Sequence, residues 1–282
     1  MSKKKKKKIV RGIFFYAGIL LLMAVILIPF FFMVTGSLKS AKEAIQVPPT
    51  VLPEALTLQH YKDIFNANIF PFLKYFKNSL YVSVLAASIS LVLGIMAGYA
   101  LSKLRFPGRM TISNSFYCVY MFSGILLIVP LYRLLSSVGL YNHREALIII
   151  MVVQTLPTSI YMLKGFFDTI PQEIEEAGKI DGLNYVQSIF YIVIPISVSG
   201  IVSVFVYAFM IAWNDFLYAT IFLSSSDLFT LPIGLNSLFN RPDYIWGRMM
   251  AAALVTSVPV VIMYAFSEFL MKKGTTEGGV KG

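Results

Sequence analysis

The stretch Glu175-Glu-Ala-Gly-Lys-Ile-Asp-Gly182, followed after nine residues by Ile192-Val-Ile-Pro195, decides how this chain is read. It is polar, helical in character, and set between two long apolar runs. Pro171 suits a first helical position, because the N–H it lacks is one that a helix start leaves unpaired. Glu173 and Glu175 then fall near the positive end of the helix dipole, and Glu175 and Lys179 stand i,i+4 in the favourable order. Ile174, Ala177, Gly178 and Asp181 share one face at helical spacing. The middle of that face is flat, because Ala and Gly carry little or no side chain, so another surface can approach the backbone closely. Gly178 costs about 1 kcal/mol of helix propensity against Ala, and Gly182 can end the helix with a positive φ. A helix is therefore predicted over 171–182, and Pro195 predicts a bend in the run that follows. Composition alone makes this segment a solvated loop helix; a charged, ordered segment in so apolar a chain is also what a docking surface looks like.

The surroundings are those of a membrane protein. Of 282 residues, 57% are hydrophobic and 13% charged, against about 25% charged in an ordinary soluble domain. Six runs stand out, at 12–34, 79–101, 112–131, 146–163, 192–213 and 249–267, and none contains Asp, Glu, Lys, Arg or His. About 20 apolar residues in a helix cross the hydrocarbon core. Backbone groups in lipid must be satisfied within the segment, so the expected class is all-α with six transmembrane helices. A cleaved signal peptide is the competing reading of the first run, but 23 apolar residues exceed a signal core and Met33-Val-Thr-Gly-Ser37 is a poor cleavage site.

Charge sets the expected orientation. The formal charge is +10, and six lysines sit at 3–8, directly before the first run. Such a cluster fixes membrane orientation beside anionic lipid and does not call for nucleic acid. With the N-terminus inside, 15 Lys and Arg fall on the inner side and 9 on the outer, in accord with the positive-inside rule. The expected organisation is a basic cytoplasmic N-terminus over 1–11, a six-span domain over 12–271 and a cytoplasmic tail over 272–282. The 171–182 helix then lies inside. Two outer loops, 35–78 and 214–247, are open in role. The first carries the extended Val47-Pro-Pro-Thr-Val-Leu-Pro53. The second carries an apolar stretch, 216–226, too short to cross.

The motif Glu176-Ala-Gly-x-x-x-Gly182, nine residues, then Ile192-x-Ile-Pro195, resembles that of the permease subunits of bacterial ABC importers of the maltose-type carbohydrate class. That family carries E-A-A-x-x-x-G, nine residues, then I-x-L-P. Gly178 stands here for the second Ala and Ile194 for the Leu. The likeness continues through Ala212-Trp-Asn-Asp-Phe216 and Ala251–Gly282, which includes the tail from Gly274, and loosely covers most of the chain. It implies an inner-membrane, multi-pass transport subunit, not an enzyme. The 171–182 helix would be the coupling helix, with Glu173, Glu176, Ala177, Gly178, Asp181 and Gly182 meeting an ATPase subunit. Implied partners are two ATPase subunits, which would hold ATP and Mg, a second homologous permease, an extracytoplasmic solute-binding protein and membrane lipid. This chain itself would bind no cofactor.

The residues agree on where the energy cannot come from. Ion-coupled carriers place ionisable groups inside the membrane, and these runs have none; a phosphate-binding G-x-x-x-x-G-K-[ST] loop is also missing. A stand-alone secondary carrier or channel is the alternative class. His60 and His143 do not cluster with Cys118, so neither a metal site nor a catalytic residue is expected. Gln154, Ser159 and Asn214 are candidate pathway-lining residues that would hydrogen-bond a sugar, although polar groups in bundles more often join helices. Gly94-x-x-x-Gly98 allows close helix approach.

Overall fold

The computed structural model describes residues 3–121, 124–239 and 245–277, and these form helices and loops, with no strand among the described residues. The helices are α1 (Lys3–Ser37), α2 (Gln59–Phe65), α3 (Phe72–Lys103), α4 (Arg109–Met121), α5 (Ile128–Ser137), α6 (Arg144–Asp168), α7 (Gln172–Ile180), α8 (Tyr185–Ser188), α9 (Ile194–Ile196), α10 (Val198–Trp213), α11 (Leu217–Phe222), α12 (Leu231–Phe239) and α13 (Trp246–Glu277). Residues 278–282 of the expected tail and 240–244 of the second outer loop lie outside the described residues.

Four helices, α1, α3, α6 and α13, are long and apolar enough to cross a membrane. Counted as one span, the segment Tyr185–Ile196 and α10, which meet at 87°, make a fifth. Pro195 explains the break. It lacks the N–H for the helical ladder and clashes with the preceding turn; a π-helical stretch, Ile189–Val193, and Ser197 at φ −100° and ψ 18° take up the strain. The third predicted run, 112–131, is not one helix. It divides into α4, a 3₁₀ turn over Gly124–Leu127, and α5. Pro130 supplies the reason: it cannot donate to the carbonyl of Leu126, but it fits the first turn of α5, where N–H groups have no helical partner.

The chain divides into two units. The first holds residues 1–72 and 237–257. Here the loop after α1 is folded: the Glu43 carboxylate accepts from the Thr50 hydroxyl at 2.8 Å and the Glu54 amide at 2.9 Å, and the Lys39 ammonium donates to the Thr50 carbonyl. This ties the proline-rich stretch back on itself. Asp63 of α2, almost fully buried, pairs with Arg248 of α13 at 3.1 Å and accepts from Gln59 at 2.7 Å.

The second unit, 73–236 and 258–282, contains α3 and α6 packed tightly together. A Cβ on Gly94 would stand 3.0 Å from Leu163, and one on Gly98 would stand 3.2 Å from both the Leu163 side chain and the Lys164 backbone nitrogen. The two glycines therefore let the helices approach as the small-xxx-small pattern allows. Between them Ser90 and Thr155, both fully buried, share a 2.7 Å hydroxyl–hydroxyl hydrogen bond. One apolar core gathers Val82, Leu147, Ile150, Met151, Ala219 and Phe222. A second gathers Tyr99, Leu163, Phe167, Ile170, Val193 and Val204.

Gly98→Val is expected to force α3 off α6 and cost about 1–3 kcal/mol through overpacking. A lowered unfolding temperature of the detergent-solubilised chain reads this out. Gly165→Ala, where the added Cβ meets nothing within 4 Å, is the matched control and leaves that temperature unchanged or slightly raised.

Candidate functional site

The predicted polar helix is α7, nine residues from Gln172 to Ile180. Pro171 is its N-cap, at φ −57° and ψ 139°, one position before the predicted one. Its extended ψ turns the chain out of α6 while the fixed φ starts the new helix. The far end is a Schellman motif: Gly182 N–H donates to the Lys179 carbonyl at 3.0 Å, and Leu183 N–H to the Gly178 carbonyl at 2.9 Å. Gly182 holds the positive φ, +87°, that the closure requires. A capping box at Asn184, reciprocated by Gln187, starts α8 immediately afterwards.

What holds α7 down is a buried ion pair that differs from the expected one. Glu175 turns inward, 3% exposed. One carboxylate oxygen lies 3.3 Å from the Lys103 ammonium at the end of α3, and the other accepts from the Tyr99 hydroxyl at 3.2 Å. Lys103 also donates to the Ile170 carbonyl at 2.6 Å. Lys179 does not pair with Glu175; its ammonium stands 5.3 Å from the centre of the Tyr185 ring. No spacing rule in the sequence joins residue 103 to residue 175. The available signal was a lysine and a tyrosine in one turn-and-a-bit at the end of an apolar run.

Gly178 is the second difference. It faces inward, not along the flat outer face: a Cβ there would lie 2.5 Å from the Ile192 terminal carbon and 3.2 Å from Leu183. The helix leaves Glu173, Ile174, Glu176, Ala177, Ile180 and Asp181 exposed. Ile180 is 87% exposed, and Glu176 is held by the Gln172 amide at 2.7 Å. The outer face thus offers apolar surface bordered by carboxylates on a backbone fixed from beneath.

The three candidate pathway residues fall in different places. Gln154 lies in α6 beside the break between α4 and α5. Its amide donates to the Tyr218 hydroxyl, which in turn donates to the Gly124 carbonyl, so α6 and α11 are tied to the 3₁₀ turn at the break. Gln154, Thr158, Gly124 and Tyr207 line a cavity of about 170 Å³. Tyr207 also borders a larger, mostly apolar cavity of about 680 Å³ between α10 and α13. Ser159 does not face either cavity: it is fully buried, donates to the Thr155 carbonyl at 2.8 Å and packs against Gly94. Asn214 is exposed and donates to the Met210 carbonyl at 2.9 Å. Beside it, Asp215 caps α11 through the amide of Ala219 at 2.9 Å. Burial pushes the Asp215 carboxyl above the usual carboxylate range, against the pull of the Ala219 and Tyr218 amides.

The chain belongs to the family described as binding-protein-dependent transport system inner membrane component, which matches residues 90–273. It is 63% identical over 252 residues to the "Inner membrane ABC transporter permease protein YcjP" of Escherichia coli, covering 89% of this chain and 90% of the relative. It is 33% identical over 246 residues to the "Sulfoquinovosyl glycerol transport system permease protein SmoH" of Agrobacterium fabrum, covering 87% and 86%. The fold matches a chain in the crystal structure of a bacterial ABC transporter that imports the acidic polysaccharide alginate, with a TM-score of 0.81 at 19% identity over 95% of this chain and 98% of that one.

Removing one partner of the buried pair, as in Lys103→Met, leaves the Glu175 charge uncompensated and is expected to cost about 3 kcal/mol or more. The unfolding midpoint of the purified chain checks this, and Lys103→Met combined with Glu175→Leu recovers much of the loss. Gly182→Ala places a Cβ at positive φ and is expected to cost roughly 1–2 kcal/mol locally, seen as faster proteolysis at Lys179.

Proposed function

We propose that this chain is the permease subunit of an ATP-driven importer for a saccharide, in which α7 seats in an ATPase subunit and carries its closure to the spans. The observation that carries the reading is α7 itself: a capped helix locked from beneath, with Glu173, Glu176, Ala177, Ile180 and Asp181 facing out. A loop helix with no partner has no need of a buried ion pair to fix its height and pitch. The saccharide class is supported by the names of the relatives, one a sulfoquinovosyl glycerol permease and one an alginate importer.

The assembly in this reading has two ATPase subunits, which hold ATP and Mg, a second permease of the same family, and an external binding protein that delivers substrate. The fragments α4 and α5 together make one crossing, giving six, with both termini and the 171–182 segment cytoplasmic. Gln154, at the α4–α5 break, is the residue of the three candidates best placed to touch a passing hydroxyl. Discontinuous helices at mid-membrane depth are where transporters expose polar backbone to substrate. The work cycle is alternating access: ATP closes the two ATPases, α7 moves with them, and the spans open toward the binding protein.

Glu176→Lys tests the reading. Glu176 is exposed and bonded only within its own helix, so reversal of its charge spares the fold. The expected result is correct membrane insertion, weakened co-purification of the ATPase and saccharide uptake reduced by about tenfold or more, the loss of one charge-assisted contact at an interface. Normal uptake in proteoliposomes would overturn it, and uptake by this chain with a gradient and no ATPase would favour a carrier or channel.

A further inference from the structure

The structure assigns α3 a mechanical role: it links α7 to the loop ahead of α12, with Glu175 and Asn78 as positioning residues at its two ends. The proposal rests on the reading of α7 as the ATPase contact. Three features of the second unit carry it.

First, each end of α3 is clamped. At the Lys103 end the clamp is the buried pair with Glu175 and the Tyr99 hydrogen bond. At the other end, Asn78, 4% exposed, donates to the backbone carbonyls of Asp227 at 2.9 Å and Phe229 at 3.0 Å. Its side-chain oxygen accepts from Arg144 at 2.9 Å. The next residue, Ser79, accepts from the Leu231 amide at 2.8 Å and so holds the first residue of α12. Lys74 adds an exposed pair with Asp227 at 2.5 Å. Asn78 and Lys103 are about 37 Å apart along a helix.

Second, α3 is built to stay straight. Proline lies inside α1, α6 and α13, at Pro29, Pro157 and Pro259, but not inside α3, the remaining long apolar helix of the described residues. Sharp kinks occur at such prolines. Third, α3 is stiffened along its length by α6, through Gly94, Gly98 and the Ser90–Thr155 hydrogen bond. A displacement of α7 therefore reaches loop 226–231 through the clamps at Glu175 and Asn78 and one unbroken helix, without passing the bend at Pro195. In the orientation expected from charge, that loop faces the side from which the binding protein arrives.

The test uses the assembled complex in nanodiscs, with Cys118→Ser and Ser226→Cys to carry an environment-sensitive fluorophore, and Mg-ATP with vanadate as the probe. Ser226 is exposed at the clamped loop. In the otherwise unsubstituted chain the fluorophore is expected to respond to nucleotide. Asn78→Asp keeps the acceptor for Arg144 but removes the donor to the two carbonyls. It should reduce the response about fivefold or more, with basal ATP hydrolysis and ATPase association retained. Glu175→Gln keeps an acceptor for Tyr99, removes the charge facing Lys103, and should reduce the response similarly. If either change severs the α3 route, so that the residual response travels elsewhere, the double variant is no worse than the more severe single one; independent effects would multiply the losses to about twenty-five-fold. Lys74→Ala, which breaks only the exposed pair, should change little. A normal response in Asn78→Asp and Glu175→Gln, multiplied losses in the double variant, or no nucleotide response in the unsubstituted chain would each overturn the link. Failure of the ATPase to associate with the unsubstituted chain would instead refute the reading of α7, and the link with it.

Discussion

The arrangement depends on one constraint: a carboxylate taken out of water must meet a cation and a donor. Glu175 meets Lys103 and Tyr99, and because those residues end a long apolar helix, the pair fixes a polar surface segment against a membrane-embedded one. Neither group can leave without exposing the other to an apolar surround, where an unpaired charge is costly. The pair therefore works as a joint that α7 cannot slip, while its opposite face remains open. The Schellman closure at Gly182 and the capping box at Asn184 complete the seat by satisfying the helix ends locally. The same logic recurs in the first unit, where Asp63 of α2 meets Arg248 and Gln59 in a buried cluster.

The break between α4 and α5 is held in place by side chains from other helices. At the α4–α5 break the Gly124 carbonyl is met by the Tyr218 hydroxyl, itself met by Gln154. The Gln154 amide lies directly over Gly124, where a Cβ would stand 2.5 Å from it. A side chain at 124 would displace the residue that stabilises the break. Polar groups that sequence alone offers equally as glue or as path lining are thus sorted by position. Ser159 sits between packed helices, whereas Gln154 sits at an interruption with space beside it.

The fold class was legible because it follows from composition and run length. Uninterrupted runs without charge have one stable form in lipid, and α1, α3, α6 and α13 lie where those runs lie. The polar helix was legible too, since Pro171, the early glutamates and Gly182 are local signals acting within one or two turns. What could not be read were pairings across distance. Glu175 has a suitable cation four residues away, and local spacing favours Lys179, but burial against α3 decides for Lys103. Gly178 belongs by helical spacing with Ala177, yet the return of the chain through Leu183 and Ile192 covers it. The split of the third run was signalled only by Pro130, a residue that membrane helices often tolerate.

Gly178 carries one more implication. In the family pattern this position is alanine, and here the missing methyl is where the end of Ile192 comes to rest, with Leu183 alongside. The three residues form one fitted set, although they are separated by a turn and by most of the next helix. A loop transplanted from a relative with alanine would bring a methyl group into space already taken. Chimeric transporters that trade this loop should move its boundary past residue 192, so that the glycine and the isoleucine filling its place travel together.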